Sequence, residues 1–157
     1  MIRELTIDDL PVINDINYKF FYEGHYKDVA KLDVDNGIDY VMSWFESGNI
    51  PLGFFDGDKL CGFLILSIFY KLYDRPLGNL SHFVIDKEYR NKDISHKLIE
   101  KALELCDNAN CIEVYAANTG IQTKMQDKLY VRYMRKYGFK PYSTLLKRNI
   151  GDKKTNY

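Results

Sequence analysis

Ile85-Asp86-Lys87-Glu88-Tyr89-Arg90-Asn91-Lys92-Asp93-Ile94-Ser95 passes from the end of an apolar run, through a short charged segment, into residues at helical spacing. The run before it, Asn79 to Asp86, reads as a strand. Asp93 to Cys106 reads as a helix whose Ile94, Leu98, Ala102 and Leu105 share one stripe. A strand that turns so quickly into a helix start makes an anion site. The first N–H groups of the helix and the positive end of its dipole point into the loop, so main chain alone can hold a phosphate or pyrophosphate. Arg90 and Lys92 add positive charge there.

Working outward, Ile2 to Leu5 reads as a short strand, and Thr6-Ile7-Asp8-Asp9 sets a hydroxyl and carboxylates before Leu10, Ile13, Ile16 and Phe20 on one helix face. Asp33 to Gly48 is a second helix with Ile38, Val41, Met42 and Phe45 inward. Leu52 to Phe55 and Lys59 to Tyr70 are strands joined at Asp56-Gly57-Asp58, a hairpin signal because Gly tolerates the positive φ such turns need. Cys111 to Ala117 is a further strand, Lys124 to Lys136 a helix, and Lys140 to Lys147 a closing strand after Gly138. The order is βααββ, then βαβ, then αβ. The strand, helix and strand from Asn79 to Ala117 call for a right-handed crossover and parallel pairing, whereas the hairpin is antiparallel. The predicted fold is α/β (α+β) with a mixed central sheet.

A chain of 157 residues suits one domain, since folding at that length buries roughly 70% of the unfolded surface. We place the domain at residues 1–148 and a polar tail at 149–157, where Lys153 and Lys154 read as solvated. Hydrophobic residues make up 46% and charged residues 28%, an ordinary globular composition. Lys plus Arg and Asp plus Glu each count 22, so no net field draws the chain to nucleic acid or to an anionic membrane. Cys61, Cys106 and Cys111 are odd in number without a C-x-x-C pair, which points to buried thiols rather than a disulfide framework or a zinc site. The longest apolar stretch, Phe63 to Phe69, is far too short to span a bilayer. The expected location is cytoplasmic, in the host cytoplasm or a virion if the source is viral; the wealth of Lys, Asn, Asp, Ile and Tyr suits an AT-rich genome.

The segment from Ile85 to Ser95 resembles the acyl-CoA-binding motif of the GNAT (GCN5-related N-acetyltransferase) superfamily. In that motif a strand ending in a valine-like residue leads to R/Q-x-x-G-x-G/A. Ile85 stands at the valine-like position and Arg90 opens the loop. The resemblance extends over roughly Ile2 to Lys147. It implies six to seven strands flanked by about four helices, with acetyl-CoA as co-substrate and no metal. It also implies a cofactor site of Ile85, Arg90, Asn91, Lys92, Asp93, Ile94, Ser95 and, on the pantetheine arm, Asn118. Asn118 alternatively turns the chain with Thr119 and Gly120. The loop departs from the family pattern: Asp93 replaces the first glycine and Ser95 the second small residue. Asp93 has two readings, a helix N-cap or a substituted phosphate loop whose carboxylate turns to solvent.

Acyl transfer to an amine needs a neutral amine, a polarised carbonyl and a protonated leaving thiolate. The resemblance assigns the carbonyl to the Ile85 N–H and the leaving-group proton to a tyrosine four residues before Gly138, where this chain has Met134. Tyr133 and Tyr130 are the nearby candidates. One helix position turns a side chain by about 100°, so either needs a shifted register, which an insertion-like Ile121 to Leu129 would allow. Strict alternation along the strand sets Asn79, Ser81 and Phe83 on the face of Ile85, with Leu80, His82 and Val84 opposite. His82 then reads as a packed histidine ahead of a base, and Asn79 and Ser81 as groups that order water. Glu23, His25 and Tyr26, between the first two helices, either line an acceptor pocket or form a plain exposed loop. Trp44 and the tyrosines at helical spacing read as packing.

Two functions lead, and an unrelated mixed α/β fold with another anionic ligand is the remaining alternative. One is an acyl-CoA-dependent N-acyltransferase moving an acetyl group to a small-molecule or protein amine, with a homodimer left open. The other is a non-catalytic GNAT-fold protein acting as an interaction or structural component.

Overall fold

A computed structural model describes residues 1–24, 26–117 and 124–143, without the Lys124 side chain. The chain divides into two units, Met1–Gln122 and Thr123–Tyr157. The first contains β1 (Ile2–Glu4), α1 (Leu10–Glu23), α2 (Tyr26–Val29), α3 (Val34–Glu46), β2 (Ile50–Asp56), β3 (Lys59–Phe69), β4 (Leu77–Ile85), α4 (Ile94–Asn108) and β5 (Val114–Ala116). The second contains α5 (Lys124–Met134), which tightens into a 3-10 turn over Arg135–Tyr137.

The sheet runs β1-β2-β3-β4-β5, antiparallel until the parallel β4–β5 pair. The mixed sheet and the crossover through α4 match the sequence expectation. The described strands number five rather than six or seven. Residues 140–143 form no strand, and the rest of the expected closing strand, to Lys147, lies outside the described residues. Of the residues between the two long helices, Tyr26–Val29 form the single turn of α2.

β3 is buried from Leu60 to Leu66, as a central strand covered on both faces must be. On one face Phe63, Ile65 and Val84 join Ile13 and Ile16 of α1 and Val41 and Trp44 of α3. α4 packs against β2, β3 and β4 and buries Leu98, Ile99, Ala102 and Cys106. Gly78 permits that approach, because a Cβ there would stand 2.7 Å from Cys106 Sγ. Burial pushes the Cys106 thiol up to about 12, consistent with an inert core thiol.

The start of α1 is fixed by Asp9. Its carboxylate accepts the Thr6 N–H at 2.8 Å and two bonds of 2.7 Å from the Arg3 guanidinium, which also lies 4.1 Å above the Phe55 ring. These bonds hold the Asp9 carboxyl down at about 2. Phe20, expected inward, is instead 42% exposed, since α1 outruns the core before its last turn.

Candidate functional site

One residue of β3, Leu64, opposes two of β4, His82 and Phe83: Phe63 pairs with Val84 and Ile65 with Ser81, so β4 carries one extra residue. That bulge holds His82 at φ 49° and breaks the alternation assumed from sequence. Ser81 and Val84 both stand opposite residues of the α1/α3 face, whereas Ile85, paired with Gly62, shares the other face with Leu80, paired with Leu66. The expected grouping of Ser81 with Ile85 is therefore wrong, and the inserted residue is the reason. His82 and Phe83 are both exposed at the bulge.

β5 pairs with β4 only from Gly78 to Leu80. Among the described residues, β4 continues from Ser81 to Ile85 without a partner on that side. Its edge there presents main-chain groups to whatever enters.

Beyond Ile85 the chain is pinned by Asp86, 8% exposed. Its carboxylate accepts the Glu88 N–H at 3.1 Å and lies 3.8 and 3.9 Å from the Lys19 and Lys59 ammoniums. A 3-10 turn over Lys87–Tyr89 follows. Lys59 and Lys92 place their ammoniums 4.8 and 4.5 Å from the Tyr89 ring centroid.

Asn91 and Asp93 then adopt left-handed backbone, with φ of 67° and 62°. This conformation explains why a glycine suits the loop, and why aspartate, one of the few side chains to enter the region, can stand in. Asp93 is the N-cap residue of α4 and its carbonyl accepts the Lys97 N–H at 3.2 Å, but its side chain makes no cap hydrogen bond. The left-handed turn at Asp93 leads directly into the first turn of α4. Arg90, Asn91, Lys92 and Asp93 are exposed and Ser95 is half-buried. Ile94, 3% exposed, anchors α4 through its side chain and has only main chain to offer a ligand.

Arg90 Nε donates to the Ile85 carbonyl at 3.2 Å, and its NH2 group contacts Glu23 at 2.5 Å. The structure thus brings together two predicted residues, Arg90 and Glu23, as an ion pair tying the end of β4 to the end of α1. Tyr26 is exposed on α2, while His25 and Asn118 lie outside the described residues.

In the second unit, Tyr133 accepts a 3.1 Å bond from the Tyr137 hydroxyl. Burial raises the Tyr130 hydroxyl above its ordinary value. Met134, at the position where the family carries a tyrosine, is 5% exposed.

Sequence reasoning missed Tyr40. Its hydroxyl meets His82 Nε2, and its ring stands 5.3 Å from Trp44 and 5.5 Å from His82. Tyr40 lies next to Val41, the inward residue, so helical spacing marks it as peripheral. Only the bulge brings His82 to it.

No described group of three His, Cys, Asp or Glu side chains could hold a metal ion. No helix among the described residues is long and apolar enough to cross a membrane.

The acetyltransferase (GNAT) family model matches residues 12–139. A comparison with curated protein sequences returned no match. Among solved structures, a Trypanosoma brucei acetyltransferase superposes with a TM-score of 0.71 at 18% identity, covering 96% of this chain and 99% of that one. An aminoglycoside 6'-N-acetyltransferase from Acinetobacter haemolyticus gives 0.68 at 12% identity, with coverage of 98% and 99%. Glucosamine-6-phosphate N-acetyltransferase from Arabidopsis thaliana gives 0.64 at 19%, with coverage of 96% and 97%. At these identities the structures show a shared fold. With the family match over most of its length, the chain belongs to the acetyltransferase (GNAT) family.

Proposed function

We propose that this protein is an acyl-CoA-dependent N-acyltransferase that moves an acetyl group from acetyl-CoA to an amine. The observation that carries the reading is the left-handed Asp93 at the mouth of α4, φ 62°, with no side-chain cap on the helix. A loop that had drifted to a purely structural role would be free to relax into ordinary backbone, or to use the Asp93 side chain as a cap. It does neither.

In this reading the pyrophosphate sits against the N–H groups at the start of α4. The pantetheine arm lies along the unpaired β4 edge from Ser81, with main-chain N–H groups polarising the acyl carbonyl. When bound, acetyl-CoA supplies the activated acyl group. Arg90 screens the phosphates once it exchanges Glu23 for them, and Lys92 adds charge. Tyr133 or Tyr130 supplies the proton for the leaving thiolate. Asn118 and His25 belong to the proposed pantetheine and acceptor contacts. Glucosamine-6-phosphate and aminoglycoside acetylation in fold relatives fit an amine acceptor in general.

One observation favours the non-catalytic alternative: Glu23 already occupies Arg90, and Asp93 adds negative charge where a phosphate would sit. Isothermal calorimetry with acetyl-CoA, followed by an assay for amine-dependent thiol release, separates the two. Saturable binding with turnover supports the enzyme; no heat at millimolar acetyl-CoA excludes it.

A further inference from the structure

The β4 bulge carries a line of polar groups that the phosphate loop does not use. Ser81 Oγ donates to the Ile65 carbonyl at 3.5 Å, His82 Nδ1 lies 3.1 Å from Ser81 Oγ, and His82 Nε2 meets the Tyr40 hydroxyl. The far end of this line sets its direction. With the Ser81 O–H turned to the Ile65 carbonyl, which can only accept, Oγ accepts from Nδ1–H, and this is the arrangement the relay below uses. Nε2 therefore carries the lone pair, and Tyr40 donates its O–H to it.

The imidazole packs against two rings of α3. Its centroid lies 5.5 Å from Tyr40 and 5.3 Å from Trp44, and Trp44 packs on Phe63 at 5.7 Å. His82 keeps this place at φ 49°, a conformation that costs about 1–2 kcal/mol for a residue other than glycine and tends to persist where a site over-determines it. Tyr40, at the other end, is 50% exposed. The groups that face the ring are Tyr40 and Trp44 from α3 and Ser81 from β4. Among the described residues no ion pair includes it, and although the residue is exposed at the bulge, partial desolvation of its ring favours the neutral form. The bulge lies on the stretch of β4 that β5 leaves unpaired, where the acyl group is placed above.

We propose that Tyr40, His82 and Ser81 form a proton relay that neutralises the acceptor, with Tyr40 Oη the atom that meets the amine; this rests on the acyltransferase function proposed above. The acceptor arrives as an ammonium. As its N–H⁺ bond breaks, that proton forms a bond to Tyr40 Oη, and the Tyr40 proton passes to His82 Nε2, leaving a neutral amine and an imidazolium. His82 returns its proton to solvent through Tyr40 after turnover. The second amine proton leaves with the thiolate, so one proton is released per acetyl group transferred. His82 and Ser81 act through Tyr40 and are positioning residues.

The test has two readouts. Without any ligand, ¹⁵N NMR of the His82 ring near neutral pH is expected to show the Nδ1–H tautomer, with the tautomers mixing in Tyr40→Phe; a dominant Nε2–H form in the wild type would overturn the relay. With acetyl-CoA, thiol release is followed using phenethylamine, charged at pH 7, and aniline, uncharged. Tyr40→Phe and His82→Gln are expected to lose about 100-fold in kcat/KM with phenethylamine but less than about threefold with aniline, and the phenethylamine loss should shrink as pH rises. Equal losses with both amines at every pH, or no amine-dependent release from a wild-type protein that binds acetyl-CoA, would contradict it. Acetyl-CoA affinity in both variants should stay within about twofold of wild type. If the wild type does not bind acetyl-CoA at all, the acyltransferase reading itself fails, and calorimetry shows that separately.

Discussion

The loop from Asp86 to Asp93 and the bulge from Ser81 to Phe83 are neighbours along one stretch of chain, and each holds a residue other than glycine in left-handed backbone: Asp93 at φ 62° and His82 at φ 49°. They solve different problems. In the proposed function the loop has its value in its main chain, so that reading lets the side chain at Asp93 change. The bulge has its value in a side chain, since the extra residue brings His82 against Tyr40 and Trp44. A site made of peptide groups tolerates substitution, whereas one made of a ring and two hydroxyls does not.

The strongest way to break the comparison is to remove the support under the bulge. Trp44 is 4% exposed, and Trp44→Ala is expected to destabilise the fold by about 3–5 kcal/mol, read by urea denaturation. The α3 face of the bulge should fail with it, seen as loss of the His82 tautomer preference. Substitutions at Asp93 should be far milder. Asp93→Gly relieves the left-handed strain and removes a negative charge, so it is expected to tighten acetyl-CoA about 10-fold and to add about 1 kcal/mol of stability. Asp93→Ala keeps the strain without the local tolerance of aspartate, and should destabilise by about 1 kcal/mol. If Asp93→Gly leaves affinity and stability unchanged, the loop is not strained in the way its dihedral implies.

The ion pair beneath the loop gives a smaller effect. Glu23→Gln frees Arg90 from its 2.5 Å partner and is expected to tighten acetyl-CoA about threefold, an effect that raised salt should diminish. Arg90→Ala should weaken binding by a similar factor.

A control lies outside both regions. The Asp9 carboxyl is depressed from 3.8 to about 2 by Arg3, so its contribution is complete above the unfolded value and is lost as pH falls from about 4 through about 2. Arg3 is partly exposed, its side chain at 39%, which discounts the pair to about 1 kcal/mol. Asp9→Asn should remove that contribution at pH 7 and flatten the acid limb of stability, without moving acetyl-CoA affinity.

What could be read from the sequence follows the same division. Periodicity placed α1, α3, α4 and the hairpin at Gly57, because those elements answer to local spacing and turn chemistry. The strand end at Ile85 and the helix start at Ile94 were legible because each is written in contiguous residues. The bulge was not: a one-residue insertion leaves no mark in Leu80-Ser81-His82-Phe83-Val84 and appears only against the register of β3. The link between His82 and Tyr40 spans 42 positions in sequence and exists only after that register is set. The left-handed angle at Asp93 was equally hidden, since aspartate before a helix reads first as a cap.

The most direct test of the central claim is an amide chemical-shift titration of the wild-type protein with acetyl-CoA. The expected result is saturable shifts concentrated at Asn91 to Ser95 and along Ser81 to Ile85, with the Asp9 region unmoved. Saturable shifts confined to other parts of the chain, or none at millimolar acetyl-CoA, would contradict a cradle built from the main chain at the start of α4.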